Sequence, residues 1–135
     1  MALVARAEVL QVKAETDVVL VRQAVRTSAV QQGFTLVDQT KIVTAASEIA
    51  RNTVIYGRGG TVRIEAVMDG VRKGLRLIFQ DQGPGIADVD LALRDGYTTG
   101  SGLGMGLGGA RRLVNEFGIE SKPGAGTTVT LTRWK

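Results

Sequence analysis

The sequence predicts a two-layer α/β (α+β) sandwich, with helices on one face of a mixed, mainly antiparallel sheet. Three observations predict it. Apolar residues recur at helical spacing in two successive segments before residue 55, and they alternate at period two in the hairpin that follows. A stretch with nine glycines in 27 residues, Gly83 to Gly109, then separates these elements from a last helix and two last strands. A length of 135 residues with 44% hydrophobic content suits one core, so residues 1–135 are expected to form a single domain.

Taken in order, residues 8–14 (EVLQVKA) read as a short strand. Thr16 then offers an N-cap ahead of Val18, Val21, Val25 and Ala29 at helical spacing, and Gly33 closes that helix. A second helix starts at Thr35, where Asp38 three residues on makes a variant of the capping box, and runs through Ile42, Ala46 and Ile49 to about Val54. After the loop Gly57-Arg58-Gly59-Gly60, Val62, Ile64, Ala66 and Met68 alternate, and Asp69-Gly70 supplies turn chemistry. The return strand puts Leu75, Leu77 and Phe79 on one face, and the same parity carries Asp81 onto that face at the strand's end. Between Gly83 and Gly109 the glycine density predicts a mobile lid, with a short helix around Val89 to Arg94. Leu107, Ala110, Leu113 or Val114, and Phe117 predict a last helix closed by Gly118, followed by strands over Ile119–Ser121 and Thr127–Arg133.

Composition removes several function classes. With no cysteine there is no disulfide framework, thiolate metal site or cysteine nucleophile. With no histidine there is no Ser-His-Asp catalysis, no usual zinc site and no phosphohistidine on this chain. Arg6 and Glu8 interrupt the apolar opening, and nothing later approaches a membrane span, so a cytoplasmic protein without a membrane partner is expected. The net charge is +4, but the basic residues are scattered, with only Arg72-Lys73 and Arg111-Arg112 adjacent. That pattern argues against nucleic acid as a partner and suits an acidic protein surface equally well.

Three constellations carry chemistry. Glu48 and Asn52 stand one helical turn apart and address one bound object. Magnesium takes hard oxygen ligands and keeps waters, so the Asn52 amide oxygen suffices as a ligand and Glu48 is left to act as a general base. The same pair is also ordinary on a helix surface. Asp81 ends an apolar strand face, where a carboxylate can accept a hydrogen bond from an adenine amine, and Gly83 and Gly85 let backbone approach a ligand; a plain Asp-Gly-Pro turn is the competing reading. Gly102, Leu103, Gly104, Met105 and Gly106 open the last helix, where free N–H groups favour phosphate oxygens. Gly104, Gly106 and Gly109 also spell a dinucleotide fingerprint, but no strand precedes it and no Walker A loop occurs. Strand parity places Thr127 inward beside Asp81, where the two can share a water at the base edge.

Together these segments resemble a known family. Glu48-x-x-x-Asn52, Asp81-x-Gly83-x-Gly85, Gly102-x-Gly104-x-Gly106 and Gly126-Thr127 are similar to the N, G1, G2 and G3 boxes of GHKL ATPases, in order and at the right distances. The phrases SEIARN, QDQGPGI, DGYTTGSGLGMGLGGARRLVNEF and GAGTTV resemble the small bacterial anti-sigma and switch serine/threonine kinases, and among these the RsbT-type kinases of the stressosome. The resemblance implies a Bergerat ATP-binding fold with a glycine-rich ATP lid. It implies ATP and Mg2+ as cofactors, with Glu48 catalytic, Asn52 on the metal, and ATP bound by Asn52, Asp81, Gly83, Gly85, Ile86, Gly102, Leu103, Gly104, Met105, Gly106 and Thr127. It further implies phosphorylation of Ser or Thr on STAS-domain partners in a partner-switching pathway, and activation of a PP2C-type serine phosphatase by the released kinase. Sigma-binding anti-sigma kinases commonly carry a histidine where this chain has Tyr56-Gly57, a departure that favours the RsbT side. A non-catalytic, nucleotide-switched binding module remains the alternative function.

Overall fold

The computed structural model describes residues 2–86, 89, 93 and 106–135. Its five strands, β1 (Leu3–Val12), β2 (Gly60–Asp69), β3 (Arg72–Asp81), β4 (Glu116–Ser121) and β5 (Thr127–Trp134), form one sheet in the order β1-β2-β3-β5-β4. Every neighbouring pair is antiparallel. The helices α1 (Glu15–Gln31), α2 (Leu36–Ile55) and α3 (Gly106–Arg112) lie among the described residues, with α2 packed on both α1 and α3. Val21 and Val25 of α1 and Ile42, Ala46 and Ile49 of α2 meet Val62, Ile64, Leu75, Leu77, Phe79, Val129 and Leu131 of the sheet in one core. Each strand contributes alternate residues to it, as the period-two pattern predicts.

Three boundaries differ from the sequence reading. Strand β1 begins at Leu3 and pairs with β2 from Leu3↔Met68 to Val12↔Gly60, with a register shift between Val4 and Arg6. As an edge strand it is exposed along most of its length, so its residues carry little of the alternation that reveals a strand. Helix α1 is capped at Ala14, not Thr16; the Asp17 carboxylate turns back to accept the backbone N–H groups of Lys13 at 2.9 Å and Ala14 at 3.1 Å. Helix α3 stops at Arg112, and Phe117 and Gly118 belong to β4, paired with Leu131 and Thr130. Phe117 and Ile119 both satisfy a period of two, and packing on β5 decides between strand and helix.

The predicted lid and its short helix around Val89 to Arg94 lie largely outside the described residues; the other predicted starts and stops hold. Thr35 caps α2 by accepting the Asp38 N–H at 3.2 Å, and Gly33 between the first two helices has φ +83°. On the sheet face away from the helices, Glu65 sits between Arg63 at 2.8 Å and Arg76 at 2.6 Å. The Trp134 ring lies against Gly74, with the Arg72 guanidinium 4.2 Å from the ring centroid. Among the described residues no helix is long and apolar enough to cross a membrane.

Candidate functional site

The site grows from the C-terminal half of α2. Ile42, Ala45, Ala46, Ile49, Ala50 and Thr53 bury one side of that helix, which leaves Glu48 and Asn52 at its half-buried rim, one turn apart. The Glu48 carboxylate receives the Arg51 guanidinium at 3.3 Å, with 12% of its side chain exposed. At the end of the helix the Asn52 carbonyl accepts two backbone N–H groups, from Tyr56 at 2.9 Å and Gly57 at 3.1 Å. This double acceptance turns the chain sharply and brings Gly57 onto the end of β3.

Asp81 is the last residue of β3, with Gly60 of β2 and Thr127 of β5 as its cross-strand neighbours. Its Oδ1 accepts the backbone N–H of Gly83 at 2.9 Å and that of Thr127 at 3.2 Å. Among the described residues no donor contacts Oδ2, so this oxygen keeps its capacity to accept a hydrogen bond from a ligand. The structure brings Thr127 to Asp81 through its backbone N–H, while its hydroxyl pairs with the Ser121 hydroxyl at 2.8 Å.

Ser121 is one residue that sequence reasoning missed. Its hydroxyl accepts the Ile86 N–H at 2.7 Å and donates to the Gly126 carbonyl at 3.2 Å, and the Gly124 N–H reaches the Pro84 carbonyl at 2.7 Å. The loop from Gly83 to Ile86 is thereby stitched to the β4–β5 turn. The only signal for this in the sequence is the short Ser121-to-Thr127 return, which sets the two residues opposite each other.

The glycines here serve close approach within the protein itself. A side chain on Gly83 would come within 2.7 Å of the Gly57 carbonyl oxygen, one on Gly85 would strike the Lys122 carbonyl, and one on Gly126 would strike the Asp81 carbonyl. Gly85 and Gly126 also hold φ of +76° and +83°. Gly106 opens α3 at φ +64°, followed by buried Leu107 and Ala110. Gly102, Leu103, Gly104, Met105 and Arg94 lie outside the described residues.

An open groove of about 530 Å³ borders this cluster along Gln80, Asp81, Gln82, Ile119, Lys122 and Thr128. Glu48 and Asn52 do not line it, so the groove shares only Asp81 and the neighbouring turn with the predicted site. Of the predicted residues, the structure gathers Asp81, Gly83, Ile86 and Thr127 into one hydrogen-bonded unit, with Gly85 packed against Lys122 beside it, and links them to Asn52 through Gly57.

Comparison with known proteins gives the family. The model of histidine kinase-, DNA gyrase B- and HSP90-like ATPases matches residues 37–135, from the first turn of α2 to the end of β5. The chain is 44% identical over 125 residues to the serine/threonine-protein kinase RsbT of Bacillus subtilis (strain 168), covering 93% of this chain and 94% of that protein. It is 32% identical over 119 residues to the anti-sigma F factor of Thermoanaerobacter sp. (strain X514), covering 84% and 82%. A solved structure of the RsbU and RsbW domains of a Mycobacterium tuberculosis protein superposes with a TM-score of 0.64 at 25% identity, over 95% of this chain but only 33% of that one. The chain belongs to the family of histidine kinase-, DNA gyrase B- and HSP90-like ATPases.

Proposed function

We propose that this chain is an ATP- and magnesium-dependent protein serine/threonine kinase of a bacterial partner-switching pathway, acting as a single cytoplasmic domain on the hydroxyl of a STAS-domain partner. A PP2C-type serine phosphatase is its second partner. The observation that carries the reading is that the Asn52 carbonyl at the end of α2 holds Gly57 against the Asp81 carboxylate, whose Oδ2 meets no donor among the described residues. The 44% identity to a protein named as a serine/threonine kinase, over nearly the full length of both, supports it.

The residues present suit magnesium-ATP. Asn52 offers a hard amide oxygen for the metal, and Asp81 Oδ2 offers an acceptor for the exocyclic amine of adenine. When bound, magnesium-ATP supplies the phosphoryl group and the neutralising charge around it. Gly83, Gly85, Ile86 and Thr127 hold Asp81 and the wall beside it in place, and Gly102, Leu103, Gly104, Met105 and Gly106 would supply backbone N–H groups to the phosphates. Glu48 takes the proton of the acceptor Ser or Thr hydroxyl on its carboxylate. The chain's own contribution is mainly positioning, as phosphoryl transfer demands.

The test is incubation with ATP labelled at the γ-phosphate, magnesium and a lysate of the source organism, followed by identification of the labelled protein. Label on Ser or Thr of a small STAS-domain protein is expected. Absence of any labelled protein would instead favour the nucleotide-switched binding module.

A further inference from the structure

We infer that Gly57 determines nucleobase selectivity: the absence of a side chain there is what leaves room for Asp81 to offer Oδ2 to an adenine amine. The inference rests on the ATP reading of the site and adds to it a residue outside the predicted set.

An ideal Cβ on Gly57 would lie 2.5 Å from both Cγ and Oδ2 of Asp81 and 2.8 Å from its Cβ. Real Cβ atoms essentially never approach so closely, so either the carboxylate or the loop must move. Gly57 is buried and its φ lies outside the left-handed region, so positive φ is not what calls for glycine here. The requirement for glycine therefore comes from the space that Asp81 fills.

Neither side can yield freely. The Gly57 N–H is held by the Asn52 carbonyl at 3.1 Å, and its Cα and carbonyl oxygen lie against Gly83, whose own Cβ would come within 2.8 and 2.7 Å of them. On the other side, Oδ1 of Asp81 is held by the N–H groups of Gly83 and Thr127. The weakest restraint is rotation of the Asp81 carboxylate about its own side-chain bonds. A methyl on Gly57 turns Oδ2 away from the base, and its 2.8 Å approach to the Asp81 Cβ, which side-chain rotation does not move, is relieved by a shift of a few tenths of an ångström where the two segments meet. Gly57 is thus a positioning residue that acts through Asp81, and it couples the end of the helix carrying Asn52 to the reading of the base.

The test compares magnesium-ATP with magnesium-ITP, whose base carries a keto oxygen in place of the exocyclic amine. Dissociation constants are measured for the wild type, Gly57→Ala, Asp81→Gly and the double variant. The wild type should prefer ATP by roughly tenfold to a hundredfold, the range of one hydrogen bond to a charged acceptor. Gly57→Ala should weaken ATP by that factor, leave ITP unchanged and bring the ratio near one, which general loosening of the fold would not do. In the Asp81→Gly background, which removes the Cβ 2.8 Å from the added methyl as well as the carboxylate, the methyl should change neither constant. If Gly57→Ala alone does not fold, recovery of folding and of Asp81→Gly-like binding in the double variant supports the same contact, and a double variant that stays unfolded overturns it. A wild-type ATP/ITP preference that persists in Gly57→Ala overturns the role of Gly57 alone. Equal wild-type binding of the two nucleotides removes Asp81 from base reading and the inference with it, and binding of neither nucleotide overturns the ATP reading itself.

Discussion

Arg133, near the end of the last strand, reaches Asp38 in the first turn of α2 with an N–O distance of 2.6 Å, and only 14% and 25% of the two side chains are exposed. The same guanidinium donates to the Leu113 carbonyl just beyond α3 at 3.0 Å, so one side chain ties β5, α2 and the exit of α3 together. Its Nε is buried without a hydrogen-bond partner among the described residues, which makes the other two contacts more necessary. Arg133→Met should lower unfolding free energy in urea by about 1–3 kcal/mol, because it strands Asp38 and the Leu113 carbonyl. Arg133→Lys, which keeps the charge but not the fork, should fall between.

Glu65 makes stability depend on pH. Burial pushes its carboxyl up, but hydrogen bonds and charge from Arg63 and Arg76 outweigh that and hold it below the ordinary 4.5. A hydrogen bond from Arg133 likewise holds Asp38 below 3.8. For carboxylates with depressed folded-state pKa, the stabilisation is complete above the unfolded value and is lost as pH falls through the folded one. Thermal midpoints should therefore be flat toward neutral pH and drop below about pH 4.5, in the window opened by Glu65. Glu65→Gln should be less stable at neutral pH and show a shallower acid decline.

Gly126 and Gly124 separate two reasons for glycine in the β4–β5 turn. Both have positive φ, +83° and +79°, but an added Cβ on Gly126 meets the Asp81 carbonyl and one on Gly124 meets nothing within 4 Å. Gly124→Ala should cost about 1 kcal/mol from backbone strain alone, and Gly126→Ala clearly more, as read by denaturant midpoints. Gly126→Ala should also weaken nucleotide binding, since it pushes on the strand end that carries Asp81.

Asp81→Asn tests the base contact. An asparagine can still accept the Gly83 and Thr127 N–H groups through its oxygen, so the fold should persist. Its amide nitrogen then replaces Oδ2 and meets the adenine amine donor to donor. Calorimetric titration should show ATP affinity reduced by about 1.5–3 kcal/mol, and unchanged affinity would remove Asp81 from the site.

Much of the site was legible because it depends on periodicity. The parity that puts Leu75, Leu77 and Phe79 in the core also carries Asp81 to their face, and the one-turn spacing of Glu48 and Asn52 survives any error in helix ends. The Thr35 cap was equally visible, since it needs only local chemistry. Strand β1 was half missed because an exposed edge strand has no buried face to impose alternation. The end of α3 was misplaced because Phe117 fits both periods, and only contact with Leu131 decides. Gly57 and Ser121 were invisible for a further reason: each acts through a residue distant in sequence, Asp81 and Ile86, and no local pattern encodes those contacts.

The central claim is that this site transfers phosphate, with Glu48 as the base, and one comparison tests it most directly. Wild type and Glu48→Gln are measured side by side for magnesium-ATP affinity and for the rate of phosphate transfer to the STAS-domain acceptor. Glutamine keeps the size of Glu48 but cannot take a proton, and general-base assistance is typically worth roughly 100-fold to 10,000-fold in rate. The expected result is ATP affinity within about twofold of wild type, because Asn52 and Asp81 are untouched, with transfer lowered by at least about 100-fold. Transfer by Glu48→Gln at the wild-type rate would contradict the catalytic role of Glu48, and no transfer by the wild type under any condition would leave a nucleotide-binding switch in place of a kinase.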